Sequence, residues 1–367
     1  MTVDGEKNVL FLGLQTYSRF GGIQRFNQRL VSALLSVVGP DRLTAHFTQD
    51  APTDIPSDMS MCVTGFGRKK ISYIYQSLKK SLSADTLILG HINLLWLGRL
   101  AKLIHPKLNV IMMAHGVEVW NDPAFRKIRF YEPYLLRKLD RIAAVSAYTA
   151  GVMQREFHLP EALFTIFPNT VNPEVDAEHH PSAPPFALAV SRMDEHDRTK
   201  HLDQIIRAMK LLPDHLSQTR LVIVGDGVLR PDYEALVAEN GLTERVEFAG
   251  RVSEERLLEL YQTATQFVLP SSKEGFGIVY LEAWSHLLPV ICSVHGAAPE
   301  VVSDGVDGYA VEPTDTEALA TAMARLFDDP DLAADMGRKG AEKMRRSYTT
   351  DTLNRNVAAL LAKRSAQ

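Results

Sequence analysis

The chain has 367 residues, 46% of them apolar and 23% charged, the proportions of a folded globular protein and too many residues for one ordinary core. Two domains are therefore expected. The net charge of −4 conceals an asymmetry: residues 1–180 carry 20 Lys and Arg against 16 Asp and Glu, and the remainder carries 20 against 28. Either the halves meet different partners or the surface simply varies.

The opening segment, "MTVDGEKNVLFLGLQ", is acidic before its apolar run and is not expected to act as a signal peptide. Short β-branched runs then alternate with segments of helical period, the pattern of βαβ units around parallel sheets. In the first half the strand candidates are "NVLFLGL", "LTAHFTQ", "MCVTGF", "TLILGH", "LNVIMMAH", "RIAAVS" and "LFTIFPN". The most apolar stretch, "LILGHINLLWLGRLAKLI", is broken by His91, Asn93 and Arg99, so no membrane span is expected. A proline-rich segment without apolar period, residues 173–185, reads as a linker. The alternation restarts with "FALAVS", "RLVIVGD", "RVEFAG", "QFVLP", "PVICSV" and "GYAVEP", and three consecutive helical segments close the chain. The resulting division is 1–172, a linker at 173–185, a second α/β domain at 186–350, and a terminal helix at 351–367 expected to return to the first domain. Cys62 and Cys292 stand far apart, so no disulfide framework is expected, in keeping with a reducing cytosol.

Ligands of such sheets gather beyond the carboxyl ends of the strands, and with two domains facing each other those ends can line one cleft. After the first strand, Gly21 and Gly22 lead into a helix near Ile23, where backbone N–H groups can approach an anion; a plain loop–helix junction has the same look. The dinucleotide pattern G-x-G-x-x-G is absent, which argues against a dehydrogenase. His115 follows "LNVIMMA" and can donate to an oxyanion or a sugar hydroxyl or be satisfied by backbone; Glu118 and Trp120, close behind it, are expected on the acceptor or membrane side. Arg192 ends "FALAVSR" and Lys200 lies eight residues on, two cations that suit a diphosphate or else decorate a solvated loop. Gly250, Arg251 and Val252 can offer a backbone edge to a nucleobase, while Ser253 is an N-cap.

The stretch "SSKEGFGIVYLEA" carries the sharpest signal. Glu274 sits in the loop; Gly275, Phe276 and Gly277 supply a run of amides; and a helix starts near Ile278, whose N-terminus favours a phosphate oxygen. Glu282 lies about one turn in, able to accept from ribose hydroxyls. A dicarboxylate metal site fits poorly, because no second acid or histidine cluster has ligand spacing; "DDPD" at 328–331 joins two helices and reads as an N-cap cluster. Finally, "GRKKISYIYQSLKK" places Arg68, Lys69 and Lys70 at the start of an amphipathic basic helix, suited to anionic lipid or a polyprenyl-diphosphate headgroup, or else an ordinary surface helix.

These motifs resemble, in order along nearly the whole chain, glycosyltransferase family 4, retaining nucleotide-sugar transferases of GT-B fold. The resemblance rests on "GGIQRFN", "HGVEVW", "AVSAYTA", "FPNTVNP", "VSRMDEHDRTKH", "LVIVGDG", "EFAGRV", "PSSKEGFGIVYLEAWSHLLPVI" and "GAAPEVVSDGVDGYAV", and is nearest the branch building exopolysaccharides and lipid-linked oligosaccharides. It implies two Rossmann-like domains around a central cleft, with the acceptor on the first and the donor on the second. Arg192 and Lys200 then match the cations on the departing diphosphate, Glu274 the acid on the donor sugar, and the Gly275, Phe276 and Gly277 backbone the surrounding donors. Ile278 and Val279 amides match phosphate contacts, Glu282 the ribose acceptor, His115 the histidine near the sugar, and Gly22 the glycine loop. Departures are His201 where glycine is usual after the lysine, a longer Arg-to-Lys spacing, and Thr170 and Asn172 where Gly and Asp are common.

The resemblance also implies a nucleotide-sugar donor, a UDP-hexose such as UDP-glucose first and GDP-mannose second. The acceptor is a saccharide or polyprenyl-diphosphate-linked chain, with no metal, no other cofactor and no nucleic acid. The expected location is the cytoplasm, with peripheral contact at the inner face of the cytoplasmic membrane. The rival readings are a GT-B nucleotide-sugar 2-epimerase and a non-catalytic nucleotide-sugar-binding regulator.

Overall fold

The computed structural model describes residues 7–19, 21–123, 125–172 and 179–362. The chain forms two compact units, one of residues 1–170 with 350–367 and one of 171–349. The first six of the thirteen residues read as a linker, 173–178, lie outside the described residues; the rest is pinned to the second unit, His180 N donating to the Gln262 carbonyl and Ser182 N to that of Thr263, both at 2.9 Å.

In the first unit the chain runs β1 (Val9–Gly13), α1 (Gly22–Val38), β2 (Leu43–Phe47), β3 (Val63–Gly65), α2 (Lys70–Ser81), β4 (Thr86–Leu89) and α3 (Leu95–Ile104). It continues through β5 (Asn109–Ala114), α4 (Glu132–Leu136), β6 (Arg141–Ala144), α5 (Ala147–Phe157) and β7 (Phe164–Ile166). The seven strands are parallel, in the order β3-β2-β1-β4-β5-β6-β7. β1 and β4 are buried along their whole length, which is why they read as unbroken apolar runs: helices cover both faces of a parallel sheet.

The second unit runs β8 (Phe186–Val190), α6 (Leu202–Leu211), β9 (Arg220–Val224), α7 (Arg230–Glu239), β10 (Val246–Gly250), α8 (Glu254–Thr263) and β11 (Gln266–Val268). Then follow α9 (Ile278–Ser285), β12 (Val290–Ser293), α10 (Ala298–Val301), β13 (Gly308–Val311), α11 (Thr316–Asp328) and α12 (Pro330–Ser347). Its six parallel strands are ordered β10-β9-β8-β11-β12-β13. Ser253 and Asp329 cap α8 and α12 as their side chains suggest, accepting from Arg256 N and Leu332 N. The last helix, α13 (Thr350–Leu361), belongs to the first unit, where it packs along α1 and its Leu360 carbonyl accepts from Arg141 at 3.2 Å.

Strand order reverses between β1 and β4 in the first sheet and between β8 and β11 in the second. The loops leaving those strands diverge to opposite sides and open a crevice, the usual ligand position in such sheets. Cys62 and Cys292 are free and buried. Among the described residues no helix is long and apolar enough to cross a membrane.

Candidate active site

The switch point of the second sheet brings together the two loops that carry its strongest motifs. The loop after β8 turns at Met193, which is fully buried, and then forms a 3-10 helix over Glu195–Lys200. Asp197 is buried within it; one oxygen accepts the Asp194 N–H at 3.2 Å and the other lies 3.4 Å from the Arg192 guanidinium. Arg192 itself stays largely exposed, its side chain 66% accessible. Lys200 reaches across to the loop after β11, where its Nζ lies 2.7 Å from Glu274 Oε2, both side chains mostly covered.

A second stitch flanks that pair. His201 adopts a left-handed conformation, φ 55°, at the position where glycine was expected, and its Nε2 lies 2.9 Å from Ser272 Oγ. The Ser272 N–H donates to the Thr199 carbonyl at 2.9 Å. A histidine in this region is tolerated less readily than glycine, and the side-chain bond compensates part of that cost.

Glu274 is held from behind as well. Its carbonyl accepts the Ala297 N–H at 2.9 Å, and a Cβ on Gly296 would come within 2.9 Å of the same oxygen. Gly277, φ 89°, precedes α9 without any capping side chain, and a Cβ there would meet the Tyr280 ring at 2.3 Å. The Tyr280 hydroxyl anchors α9 by donating to the Leu269 carbonyl at 3.0 Å. The helix therefore opens with the amides of Ile278 and Val279 behind an N-cap glycine that offers them no side chain, next to Gly275 and beside Glu274. Glu282, one turn further, is half-buried and shares the Ile278 face. The Phe276 ring is buried against Tyr348, centroids 5.7 Å apart, so only its backbone is available to a ligand. Arg251 and Val252 follow β10, the edge strand two places from β8.

The first unit has its own cluster. Buried Asp50 accepts from the N–H groups of Thr16, Tyr17 and Ser18 at 2.8, 3.1 and 2.9 Å and from the Ser18 hydroxyl at 2.6 Å, fixing the loop that leads to Gly21 and Gly22. Gly21 is the N-cap of α1 and contributes no side chain to it, while Gly22 faces open space. His115, at the end of β5, packs edge-on against Phe26 with centroids 4.8 Å apart. Burial pushes its pKa down to about 4, partly opposed by a hydrogen bond to the Gly90 backbone. The ring is thus neutral at pH 7, and Nε2 is shielded without a protein partner. His91, on the loop after β4, is likewise held down to about 4 by burial, against the pull of Glu118.

Two first-unit assignments are corrected. Glu118 is not on an acceptor-facing or membrane-facing surface: a short helical turn over Val117–Val119 folds it inward, 8% exposed, and its Oε1 accepts the His115 N–H at 2.6 Å. Trp120 is a core residue, packed in the cluster with Leu136, Ala150 and Met153 and donating its Nε1–H to Thr149 Oγ1 at 3.3 Å. The basic helix also differs in detail. Arg68, Lys69 and Lys70 are exposed at the head of α2, but of the expected apolar stripe Ile74 and Leu78 turn to the core while Ile71 and Tyr75 face solvent. Among the described residues no group of three or more His, Cys, Asp or Glu is placed to hold a metal ion.

Residues 172–343 match the family described as glycosyl transferases group 1, and residues 55–175 match glycosyltransferase family 4. Together the two matches support a glycosyltransferase of the family 4 type. It is 33% identical over 187 residues to the GDP-mannose-dependent alpha-(1-6)-phosphatidylinositol monomannoside mannosyltransferase of Mycolicibacterium smegmatis, covering 49% of this chain and 48% of that protein. To the D-inositol 3-phosphate glycosyltransferase of Streptomyces scabiei it is 28% identical over 273 residues, 69% of this chain and 61% of the relative. The chain thus spans about half the length of the curated relatives it matches. Among solved structures, HepE of Anabaena in complex with UDP aligns with a TM-score of 0.81 at 18% identity, over 96% of this chain and 99% of that one. Sucrose-phosphate synthase of Thermosynechococcus elongatus aligns at 0.76 and 21%, over 97% and 98%. The fold is GT-B, as in these neighbours.

Proposed function

We propose that the chain transfers a hexosyl group from a nucleotide sugar to a saccharide or a polyprenyl-diphosphate-linked acceptor, with retention of anomeric configuration. The observation that carries this reading is the Lys200–Glu274 pair, 2.7 Å apart at the switch point beside the uncapped start of α9. A cation, a hydroxyl-accepting carboxylate and a row of amides are what a sugar diphosphate requires, and Arg192 adds a second, exposed cation on the same loop. As donor the order of preference is a UDP-hexose such as UDP-glucose, then GDP-mannose. UDP occupies the HepE neighbour, and GDP-mannose dependence is stated of the mycolicibacterial relative.

In the proposed chemistry the bond between the anomeric carbon and the diphosphate oxygen breaks as the acceptor oxygen bonds to the same face of that carbon. The departing phosphate oxygen takes the acceptor's proton. Lys200 and Arg192 stabilise the growing negative charge on the diphosphate; the Ile278 and Val279 amides add their N–H groups; Glu274 orients the sugar and Glu282 the ribose. Arg251 and Val252 present backbone to the base. Within the first unit, the Gly21–Gly22 loop offers backbone N–H groups to an anion, and neutral His115 can accept a hydrogen bond from a hydroxyl at Nε2. No metal takes part in this proposal, and turnover is expected to survive a chelator. The acceptor is met at the inner face of the cytoplasmic membrane.

Product analysis tests the reading. Incubation with UDP-glucose or GDP-mannose and a panel of saccharide and lipid-linked acceptors is expected to give a glycoside plus free nucleoside diphosphate. An altered sugar nucleotide formed without acceptor would indicate an epimerase, and tight binding without turnover a regulator.

A further inference from the structure

The turn that leads into the amides of α9 has little of its own to hold it. Of Gly275, Phe276 and Gly277 only Phe276 bears a side chain, and a glycine on either side leaves the backbone free to swing. The Phe276 ring is 5% exposed and meets the Tyr348 ring edge-on, centroids 5.7 Å apart and planes at 76°. Tyr348 stands just past the C-terminal end of α12, which packs antiparallel along α9. A Cβ on Gly337 would come within 1.7 Å of the Leu287 carbonyl oxygen, and one on Gly340 within 2.1 Å of the Trp284 indole nitrogen, so the two helices are in close contact behind the turn. Lys343 pairs with Asp307 at 3.0 Å, and the Asp307 carbonyl accepts the Trp284 Nε1–H at 3.0 Å. Tyr348 is thus the front end of a rod fastened to α9 at its rear.

The Tyr348 backbone is fixed independently of its ring. Its N–H donates to the Met344 carbonyl and its carbonyl accepts the Val171 N–H, both at 2.8 Å. Val171 opens the second unit and Thr349 closes it, so Tyr348 ties the two chain ends of that unit together beside the turn. Burial, then Asp307 and Glu300, raise the pKa of its hydroxyl, so the phenol is neutral and acts by shape.

We infer that Tyr348 is a positioning residue for the start of α9: by holding the Phe276 ring it sets where the Ile278 and Val279 amides stand, and so how tightly a nucleoside diphosphate is bound. The inference rests on the reading of those amides as phosphate contacts and names the side chain that places them. An aromatic edge against a buried ring is a directional contact that a smaller side chain does not replace.

Hydrogen exchange of the full chain without nucleotide reads the hold directly, at the Tyr280 amide, which donates to the Gly277 carbonyl at 3.0 Å. Tyr348→Ala is expected to speed exchange there by ~10-fold while β8 and β9 exchange as before, and Tyr348→Phe is expected to match the wild type. Calorimetric titration with UDP and with GDP is expected to show binding weakened ~10-fold in Tyr348→Ala and restored in Tyr348→Phe. Should the alanine variant not fold, Tyr348→Leu, which keeps the bulk and loses the ring edge, carries the same two measurements. Unchanged exchange at Tyr280, faster exchange throughout the unit, or unchanged nucleotide affinity despite faster local exchange each overturns the inference. So does a Tyr348→Phe variant that behaves like Tyr348→Ala. Wild-type binding of neither nucleotide would instead overturn the nucleotide-sugar reading, with exchange at Tyr280 still deciding whether Tyr348 holds the turn.

Discussion

Lys200 Nζ and Glu274 Oε2 meet at 2.7 Å although 74 residues separate them in sequence. The contact exists because β8 and β11 are neighbours at the point where strand order reverses, so the loops that leave them share one crevice. A bound diphosphate would draw Lys200 from the carboxylate and free Glu274 for sugar hydroxyls.

Arg192 and Lys200 are expected to matter for turnover far more than for folding. Arg192 is largely exposed, so Arg192→Ala should leave the unfolding midpoint nearly unchanged while lowering kcat by ~10²–10³-fold. Lys200→Ala should lower kcat similarly, with a modest loss of stability from leaving half-buried Glu274 unpaired. Steady-state kinetics beside thermal unfolding checks both; near-normal transfer by Arg192→Ala would remove it from the diphosphate.

The His201–Ser272 bond is expected to act through its neighbours, as a positioning contact. Ser272→Ala and His201→Gly each break it, and the glycine also relieves the left-handed backbone. Both variants should lower kcat by ~10-fold with stability little changed, and the double variant should be no worse than either single one. Additive losses, or full activity in both, would mean the bond does not set the Lys200 loop.

Gly277 is fixed by two constraints at once, its positive φ and the Tyr280 ring that a Cβ would strike at 2.3 Å. Gly277→Ala is expected to destabilise the second unit by ~1–3 kcal/mol and to abolish donor binding through a displaced start of α9. Equilibrium unfolding and a donor titration on the same preparation read the two effects.

The first unit is expected to lose stability on acidification. Burial holds His46, His91 and His115 at about 4, below the usual 6.5. The unfolded chain therefore binds these protons first, and the stability they contribute is complete above about 6.5 and lost as pH falls toward about 4. His46→Gln should flatten the slope in that window by up to ~1.4 kcal/mol per pH unit. Denaturant titrations between neutral and acidic pH give the slope directly.

The strands were legible because parallel sheets covered on both faces write themselves as apolar runs, and α9 was legible because glycines and a carboxylate precede it, although the helix is buried nearly all round where an amphipathic run was expected. What was hidden depends on strand order. Nothing in the local spacing of "DEHDRTKH" says that His201 will meet Ser272 or that Asp197 will turn back on Arg192. Asp50 likewise looks like an ordinary loop acid until β2 is placed beside β1. "HGVEVW" misled in the opposite direction: a polar-looking segment after a strand suggested a surface, but one helical turn buries Glu118 against the His115 backbone and sends Trp120 into the core.

A calorimetric titration of the full chain with UDP-glucose and with GDP-mannose, repeated on Glu282→Ala and Lys200→Ala, tests the assignment of the second unit most directly. One of the two donors is expected to bind the wild type, with affinity reduced at least ~10-fold in each variant, a loss of about 1.4 kcal/mol. Binding of neither sugar nucleotide, or equal affinity in all three proteins, would contradict it.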